Sequence, residues 1–487
     1  MLLTMLVGCR NTSSVEQRSS EKTAPKEEMV DFDFEKIKER GYIIAIMDNS
    51  STGLFIYKGK TMGYEYELLQ RFAELHDLEL RINVTSSLEE GFKQLNRGEG
   101  DVLAYNLTVT RERQKRIDFT AYHNLVSQVL IQRKPKNWRR MKLHEIEKTL
   151  IRNPIDLIGK KIHVRHHSAY LERLENLSNE IGGDIIIIEE FPSLETESII
   201  QRVAQGQYDY TVAEEDVALV NAMYYNNLDV KMQLSLPQQL AWGVRKNADS
   251  LLLELDNWIL NMRKTVEYHV IYDKYFKSRK RSLTRSQSKY NSLSGDLISP
   301  YDDMIKASAA QLDWDWRLLA AQIYRESKFN PEAKSWAGAV GLMQIMPKSA
   351  EEYGVVDLLS PERNIYAGTQ HLLWLKNYWS KKIDNPNERL KFILGSYNVG
   401  HGHVNDAIKL AVKYGKDPQL WDEVIAEMLI LKSKPKYYTD PVVEFGYCRG
   451  IEPVDYVKRI FSYYDNYKEI FPDQELNDTN LSENTSP

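Results

Sequence analysis

WRLLAAQIYRESKFNPEAKSWAGAVGLMQIM, residues 316–346, joins an amphipathic helical pattern to a loop with two glycines. One apolar face recurs at helical spacing and is formed by Trp316, Leu319, Ala320 and Ile323. Glu326 falls on the same face, so its carboxylate extends an apolar stripe instead of facing water. Burial among apolar groups raises the pKa of a carboxyl group, as a general acid near neutral pH requires. The stretch predicts a helix that carries a buried acid and ends before Pro331.

A lone glutamate at a helix end can also be a surface or capping residue, and the helix alone leaves that alternative open. Beyond Pro331, Gly338 and Gly341 let the backbone approach its neighbours closely, and LMQIMP (342–347) predicts the start of another helical segment. The full run from Glu326, ES-x-FNP-x-A-x-S-x-x-GA-x-GLMQIMP, resembles the signature of the soluble lytic transglycosylase family. That family has a goose-type-lysozyme-like fold and cuts the β-1,4 bond between N-acetylmuramic acid and N-acetylglucosamine in peptidoglycan.

The resemblance implies chemistry with a single acid and base. Glu326 would protonate the leaving oxygen and then accept the proton of the C6 hydroxyl of N-acetylmuramic acid. That hydroxyl attacks C1 and closes a 1,6-anhydro ring, with assistance from the N-acetyl group of the substrate. No second carboxylate is then needed, unlike in a standard glycosidase.

The resemblance also assigns substrate-binding residues. They are Ser335, Gln344, Met346, Tyr397, Asn398 and Tyr447. SYNVG at 396–400 matches the family pattern A-Y-N-x-G except at Ser396, so Tyr397 is expected to hydrogen-bond near the acid and Asn398 to hold the acetamido group. A tyrosine and an asparagine before a glycine are also a common helix ending. For Tyr447, the nearby Tyr437 and Tyr438 are alternatives.

Residues 34–277 alternate strand-like and helix-like segments, which predicts α/β layers. A second set of such segments starts near Ile158, and LAWGV at 240–244 reads like a return to the first set. Two α/β lobes joined by crossing strands would enclose a hinged cleft. GYEYELLQRFAE, the L-x-x-G-x-x-D pattern at 95–101, NLTVTRER and IDFT are together similar to the family 3 extracellular solute-binding proteins, the amino-acid receptors of ABC importers.

This second resemblance implies a ligand clamp in the cleft. Its residues are Thr110, Arg113, Ser168 and Glu214. The Arg113 guanidinium would hold a ligand carboxylate in a bidentate pair, Ser168 would add a hydroxyl and free backbone N–H groups, and Glu214 would accept the ligand amine. The alternatives are a solvated arginine in a basic run, a plain helix N-cap at Ser168, and a register in which Glu215 or Asp216 replaces Glu214.

The length, net charge and apolar content of the chain limit the remaining possibilities. A chain of 487 residues predicts two or three domains, and the net charge of −5 argues against a nucleic-acid binder. No stretch approaches the ~20 apolar residues of a membrane span. His163 and His167 could share one face of a strand, but with His166 pointing away and no acidic or cysteine ligand beside them, we expect no metal site and no cofactor.

Leu6-Val7-Gly8-Cys9 resembles a bacterial lipobox, in which the cysteine is lipidated. The apolar run before it is short and lacks basic residues, so an apolar start with a chance cysteine is the alternative. Residues 1–9 would be the lipoprotein signal and 10–33 a disordered tether that reaches into the cell wall. Arg10 is not the aspartate that retains lipoproteins at the inner membrane, so we expect the periplasmic face of the outer membrane. With Cys9 acylated, Cys448 has no partner, and we expect a buried core thiol without a disulfide.

The expected fold is multidomain, with a two-lobed α/β periplasmic-binding-protein-like domain before a mainly α lysozyme-like domain. Residues 278–297, which are basic and rich in serine, form either a solvated linker or a partly ordered connector; 298–472 form the helical domain and 473–487 a polar tail. The expected function is a peptidoglycan lytic transglycosylase whose N-terminal cleft binds a cell-wall peptide or amino acid. The alternatives are a muramidase that uses water and a solute-binding lipoprotein with an inactive lysozyme-like domain.

Overall fold

The computed structural model describes residues 30–85, 87–191, 194–278, 284–285 and 288–472. Cys9, most of the expected tether and the expected tail at 473–487 lie outside the described residues. Among the helices that are described, none combines the length and the apolar character needed to cross a membrane.

The strands belong to two lobes and one hairpin. They are β1 (Tyr42–Met47), β2 (Phe55–Tyr57), β3 (Lys60–Met62), β4 (Glu79–Val84), β5 (Val102–Thr108), β6 (Asp118–Phe119), β7 (Asn124–Val126), β8 (Gln128–Arg133), β9 (Lys161–Val164), β10 (Ile186–Glu189), β11 (Tyr210–Glu214), β12 (Leu228–Gln233) and β13 (Gln238–Val244). The first sheet has the order β4-β1-β5-β13-β6, with β7 paired to β13, and the second has the order β10-β9-β11-β8-β12. β13 runs antiparallel to β5, so the predicted return of the chain to the first lobe is confirmed.

Helices cover the faces of both sheets. In this half of the chain they are α1 (Phe34–Arg40), α2 (Tyr64–Leu75), α3 (Leu88–Arg97), α4 (Arg111–Gln114), α5 (Leu143–Thr149), α6 (Ala169–Ile181), α7 (Thr196–Gln205), α8 (Glu215–Tyr224), α9 (Asp249–Met262) and α10 (Val266–Tyr272). Local signals set their ends: α3 begins where Ser87 accepts a hydrogen bond from the Glu90 amide at 3.3 Å and stops at Gly98, which has a φ of 77°. The predicted two-lobed α/β architecture is confirmed.

Residues from 302 onward are helical, as the pattern predicts. The helices are α11 (Asp302–Leu312), α12 (Trp316–Ser327), α13 (Pro347–Glu352), α14 (Pro361–Trp379), α15 (Pro386–Val399), α16 (His401–Lys413), α17 (Ala426–Leu431), α18 (Pro435–Tyr438) and α19 (Ile451–Ile470). Four of them start with proline, which fixes φ and lacks the amide hydrogen that a first turn leaves unpaired. The long α19 packs against α12, α15 and α17 and forms the centre of the domain.

α12 is the helix predicted from the opening stretch. Asp315 caps its first turn by accepting a hydrogen bond from the Arg317 amide at 2.9 Å. The helix ends at Ser327, and Lys328 with a φ of 53° turns the chain away before Pro331. The prediction that LMQIMP begins a helix is wrong for its first five residues, because Val340 bridges to Ile345 across a tight turn and the next helix begins only at Pro347.

The two halves pack against each other through the β2–β3 hairpin of the first lobe. The Tyr467 phenol on α19 donates to the carbonyl of Gly59 at 2.6 Å. Gly59 has a φ of 76°, and a side chain there would meet the Phe329 ring at 2.5 Å and the Tyr324 ring at 2.7 Å. A single apolar core therefore runs from the first lobe into the helical domain.

The segment between the halves is an ordered connector in its described part. The Lys58 amide donates to the carbonyl of Tyr290 at 2.8 Å, the Ser292 amide donates to that of Ile56 at 2.9 Å, and Asn291 is buried. For residues 288–297, the solvated-linker interpretation is therefore wrong, because backbone groups of this segment extend the hairpin.

Candidate active site and ligand cleft

Glu326 lies in the last turn of α12, where the apolar face of the helix ends. Leu319, Ala320 and Ile323 are fully buried before it, and Glu326 itself is half-buried. Burial is the largest influence on this carboxyl group and raises its pKa to about 7. Near neutral pH, a large fraction of Glu326 therefore carries the proton that a general acid donates.

Tyr456 on α19 contacts the acid directly. Its phenol oxygen donates a hydrogen bond to Oε1 of Glu326 at 2.5 Å. This bond favours the charged carboxylate and, with the nearby Arg325 guanidinium, lowers the pKa against the effect of burial. Sequence reasoning misses Tyr456 because it lies 130 residues away, in a helix whose pattern indicates only packing.

Tyr397 lies near the acid and hydrogen-bonds to the backbone beside it. Its phenol oxygen donates to the backbone carbonyl of Met343 at 2.8 Å, and the hydrogen bond to the acid comes from Tyr456 instead. Tyr397 is still close to Glu326, because the charge of that carboxylate adds to the effect of burial in raising the pKa of Tyr397 well above its ordinary range. Tyr397 therefore anchors the loop beside the acid.

The loop at 333–346 carries three of the expected substrate-binding residues. The Ser335 hydroxyl accepts a hydrogen bond from the Ala339 amide at 3.0 Å. The Gln344 side-chain amide nitrogen donates to the carbonyls of Ala333 at 3.0 Å and Gly341 at 2.9 Å, so it closes the loop on itself. Met346 is exposed at the end of the loop.

Asn364 on α14 hydrogen-bonds to the backbone of this loop. The sequence alone predicts no role for it. Its side chain is fully buried, accepts from the Met343 amide at 2.8 Å, and donates to the carbonyls of Val340 at 2.8 Å and Leu358 at 2.9 Å. Gly341 has a φ of 83°, and a Cβ there would lie 2.1 Å from the Asn364 amide nitrogen. Glycine at 341 is thus required by both backbone conformation and space.

Asn398 and Tyr447 are on the surface of the helical domain. Asn398 is exposed near the end of α15, next to Tyr397. Tyr447 is exposed and packs edge-to-face against Tyr438 at 5.8 Å between ring centroids, so two of the three tyrosines considered for this position lie together.

A row of aromatic rings on α14 starts beside the acid. Tyr397 contacts the His371 ring at 5.4 Å between centroids, His371 stacks with Trp374 at 5.9 Å, and Trp374 stacks with Tyr378 at 5.6 Å. Trp374 is exposed. Aromatic side chains of this kind offer apolar faces to sugar rings while keeping polar edges in water.

The cleft between the lobes brings most of the predicted clamp together. Arg113, Ser168 and Glu214 line one cavity. The Arg113 guanidinium donates to the carbonyl of Thr108 at 2.9 Å, which fixes its direction. Thr110 is placed differently from the prediction: its hydroxyl accepts from the Arg113 amide at 3.4 Å and caps α4, so it positions Arg113 and does not line this cavity.

Ser168 and Glu214 both line the cavity. Ser168 occupies the N-cap position of α6, but its side chain makes no capping bond, and its buried hydroxyl oxygen has no hydrogen-bond partner among the described residues. Glu214 accepts hydrogen bonds from Tyr170 and from the Thr108 hydroxyl, the latter at 3.4 Å. Asp216 instead accepts from Asn124 at 3.2 Å, so Glu214 is the acid of this run that faces the cavity.

Four further charged residues line the same cavity and escape sequence reasoning. They are Asp48, Arg165, Glu195 and Glu197. Asp48 directly follows β1 and Arg165 directly follows β9, so both come from strand ends that meet at the cleft. That position is the signal that could have identified these two residues.

The histidines are arranged differently from the prediction. His163 pairs with Glu190 at 2.6 Å and stacks on Tyr208, whereas ligand atoms of His166, His167 and Glu189 all lie within 4.8 Å of one another. The expectation that no acid accompanies these histidines is wrong, because β10 runs parallel to β9 and brings Glu189 to the same end.

Comparisons with known proteins match both halves. The Transglycosylase SLT domain model matches residues 303–420, and the model of Bacterial extracellular solute-binding proteins, family 3, matches residues 43–278. A membrane-bound lytic murein transglycosylase F from Desulfosudis oleivorans is 34% identical over 435 residues, which cover 89% of this chain and 91% of that protein. One from Pseudomonas fluorescens Pf0-1 is 31% identical over 436 residues, covering 88% and 85%. With both domains matched and relatives aligned along nearly their whole length, the chain belongs to the membrane-bound lytic murein transglycosylase F family.

Proposed function

We propose that Glu326 is the only acid and base of this lytic murein transglycosylase. The observation that carries the proposal is a half-buried carboxyl group with a pKa of about 7 that accepts a hydrogen bond from Tyr456. Protonated Glu326 donates its proton to the glycosidic oxygen between N-acetylmuramic acid and N-acetylglucosamine. The resulting carboxylate then takes the proton of the C6 hydroxyl as that oxygen bonds to C1, which gives a 1,6-anhydro end and restores the acid.

The surroundings of Glu326 favour this route over hydrolysis. A hydrolytic glycosidase generally uses two carboxyl groups, one as acid and one as base or nucleophile. Apart from burial, the described groups that shift the pKa of Glu326 are a phenol and a guanidinium, Tyr456 and Arg325, with no carboxylate among them. The substrate hydroxyl can take the place of the second group.

The glycan is proposed to lie along the loop and helix ends around the acid. The residues assigned to this surface are Ser335, Gln344, Met346, Tyr397, Asn398 and Tyr447. Ser335 and Asn398 would hold acetamido groups, and Met346 and Tyr447 would provide exposed apolar contact. Gln344 and Tyr397 would act by shaping the loop, since their described hydrogen bonds go to its backbone.

Mass analysis of digested murein tests the activity and its residue together. Wild-type protein is expected to release fragments with ends one water lighter than hydrolytic products, and Glu326→Gln is expected to release almost none. Hydrated ends would establish the muramidase alternative. Absence of fragments from the wild type would support a solute-binding protein with an inactive second domain.

The cleft is proposed to bind a cell-wall peptide fragment or an amino acid and so to regulate the helical domain. Support comes from Arg113, Glu214 and the Ser168 hydroxyl, which has no partner among the described residues, around one cavity, and from the core shared by the first lobe and the helical domain. Calorimetric titration of the full chain with stem peptides and free amino acids, followed by murein digestion with and without the tightest of them, tests binding and regulation separately. Absence of heat from every compound would refute a ligand of this class.

The chain is further proposed to be lipidated at Cys9 and held on the periplasmic face of the outer membrane by a tether, with domains at 34–277 and 298–472. Support comes from the lipobox-like sequence and from relatives named membrane-bound. The expected end of the tether at residue 33 is wrong, because the Val30 amide donates to the carbonyl of Asn96 at 3.3 Å and Asp33 accepts from the Leu251 amide at 2.9 Å, so residues 30–33 pack on the first lobe. Metabolic labelling with radioactive palmitate is expected to mark the wild type but not Cys9→Ser. Density-gradient separation of inner and outer membranes shows which of the two carries the protein. Equal labelling of both proteins would exclude Cys9.

A further inference from the structure

Gln322 is a buried polar residue near the acid that the proposed mechanism does not use. It lies on α12 four residues before Glu326, so the helix places the two side chains at neighbouring positions of one face. Its side chain is fully buried, and neither its amide nitrogen nor its amide oxygen has a hydrogen-bond partner among the described residues. Buried polar groups in folded proteins are nearly always paired, because an unpaired amide loses its hydration without compensation. An amide that bears this cost beside a catalytic acid calls for a functional explanation.

The amide of Gln322 acts on the phenol of Tyr456. It lowers the pKa of Tyr456, as an N–H group directed at the phenol oxygen does, although the contact does not meet the geometry of a full hydrogen bond. Tyr456 is itself buried and donates to Oε1 of Glu326 at 2.5 Å. Apart from burial, the described groups that shift the pKa of Glu326 are Tyr456 and Arg325. An influence of Gln322 on the acid therefore passes through the phenol.

Glu326 needs a different hydrogen-bond partner in each of its protonation states. As a carboxylate it only accepts hydrogen bonds, and as a carboxylic acid it also carries one O–H donor. A phenol has one hydrogen, so it donates in one direction at a time. When Tyr456 donates to the carboxylate, its oxygen can accept from the Gln322 amide nitrogen. When the protonated acid donates to the phenol oxygen, the phenol hydrogen can turn to the Gln322 amide oxygen, because an amide offers both a donor and an acceptor without a charge.

We propose that Gln322 is a positioning residue that keeps Tyr456 hydrogen-bonded to Glu326 in both protonation states of the acid. The inference rests on the role proposed for Glu326 and adds a residue that acts through Tyr456. When Glu326 gives its proton to the glycosidic oxygen, Tyr456 donates to the new carboxylate and the Gln322 amide nitrogen donates to the phenol. Both hydrogen bonds reverse when the C6 hydroxyl returns a proton to Glu326, so neither Tyr456 nor Gln322 gains or loses a proton over the cycle.

Two further ionisable side chains face these hydrogen bonds. The Arg325 guanidinium on α12 lies 5.6 Å from the centroid of the Tyr456 ring and pairs with Asp455 on α19 at 3.6 Å. Tyr397 on α15 lies near both the acid and the phenol. Arginine stays protonated in proteins, and burial raises the pKa of Tyr397 well above its ordinary range. Neither group changes its charge near neutral pH, so a shift of the pH–rate profile in this range reports on the acid.

Gln322→Met in the full chain tests the proposal, because methionine keeps the length of the side chain and removes the amide. The readout is the release of anhydro ends from murein, followed by mass spectrometry across the pH range in which Glu326 titrates. Turnover is expected to fall about threefold, because one neutral hydrogen bond contributes on this scale. Loss of the amide makes Tyr456 a weaker donor to the carboxylate, which raises the pKa of Glu326. Activity falls as pH rises through that pKa, so the decline should move to higher pH.

Thermal unfolding separates this role from a structural one. Replacement of a poorly paired buried amide by an apolar side chain of similar shape is expected to change the thermal midpoint little. Gln311→Met, which replaces an exposed glutamine on α11, is the matched control and should keep both turnover and the pH–rate profile. Gln322→Leu takes the place of Gln322→Met if the methionine variant does not fold. A lower midpoint with an unmoved pH–rate profile would assign Gln322 to core packing and overturn the proposal.

A double variant with Gln322→Met and Tyr456→Phe tests the route through the phenol. If Gln322 acts through Tyr456, the double variant should turn over murein within about twofold of Tyr456→Phe alone, because the two residues then form one coupled unit. A loss equal to the product of the two single effects would overturn this route. An unmoved pH–rate profile in Gln322→Met would overturn the positioning role and leave Glu326 as the acid, whereas full activity of Glu326→Gln would overturn the function on which the inference rests.

Discussion

In the helical domain one carboxyl group, Glu326, ends a buried apolar face and accepts a hydrogen bond from the phenol of Tyr456, whereas four carboxyl groups and two guanidinium groups line the cavity between the lobes. Burial raises carboxyl pKa values at both places. At Glu326 the nearest partner is the Tyr456 hydroxyl, so the group can hold or release a proton. In the cleft several charged groups lie together, and we propose that the same residue type serves recognition there. Surroundings, more than residue identity, separate the two proposed roles, proton transfer and ligand binding.

Glu326→Gln should produce the largest difference between the two regions. The amide cannot donate an acidic proton, so murein turnover is expected to fall by about 1000-fold, the scale of general acid catalysis. Amino-acid binding in the cleft should remain, since the substitution lies in the other domain. Release of anhydro fragments, followed by mass spectrometry, measures the first effect and calorimetry the second. Turnover within tenfold of wild type would remove Glu326 from the mechanism.

Arg113→Ala tests ligand binding in the cleft, as Glu326→Gln tests turnover in the helical domain. Without the guanidinium, a ligand carboxylate faces a buried acidic cavity, and amino-acid affinity is expected to fall by about 100-fold. Calorimetry of the full chain measures the loss. Arg116→Ala is the matched control from the same basic run, because Arg116 points to the surface and pairs with Glu89 at 2.7 Å. An equal loss in both variants would show that general charge, not a clamp, attracts the ligand.

Asn364→Ala tests how far the acid depends on its supporting loop. The substitution leaves the Met343 amide and the carbonyls of Val340 and Leu358 without their buried partner, at an expected cost of about 2 kcal/mol in the free energy of unfolding. Denaturant titration measures this cost. Asn377→Ala, on the same helix but with an exposed side chain, is the control. A stable Asn364 variant with normal turnover would mean that the loop holds its shape alone.

Tyr456→Phe should have the smallest effect and the most specific signature. Loss of one hydrogen bond to the acid is expected to slow turnover about tenfold. That bond lowers the pKa of Glu326, so its removal raises the pKa further above 7. Activity requires the protonated acid and falls as pH rises through this pKa, so the decline of the pH–rate profile should move to higher pH. Tyr464 lies on the same helix as Tyr456, and its hydroxyl donates to Asp315. The control variant Tyr464→Phe should leave the pH–rate profile unchanged.

The two regions also differ in what the sequence reveals. Glu326, Ser335, Gln344 and Met346 lie in one short run, so helical spacing predicts the buried acid and the motif supplies its proposed chemistry. The sequence does not predict Tyr456 and Asn364, because they reach the site from helices distant in the chain whose patterns indicate only core packing. The motif places Tyr397 near the acid, where it hydrogen-bonds to the Met343 carbonyl, but it says nothing about Tyr456, the phenol that reaches the carboxylate.

In the cleft the functional residues come one at a time from separate strand and helix ends. The clamp at Arg113, Ser168 and Glu214 is predicted through resemblance, while the further acids that line the cavity, Asp48, Glu195 and Glu197, are not. Each of those acids looks like an ordinary surface residue in its own segment. Only the pairing of strands, which the local pattern leaves unspecified, brings them to one cavity.

The close fit at Gly59 has a practical consequence. Here the hairpin of the first lobe covers Tyr324 and Phe329 at the end of the helix that bears the acid, and Tyr467 donates to its backbone. Separating the two halves would expose these rings to water and leave a hydrophobic patch next to Glu326. The C-terminal half expressed alone is therefore expected to be poorly soluble and to turn over murein slowly. A fusion of this half to another binding module should include the hairpin.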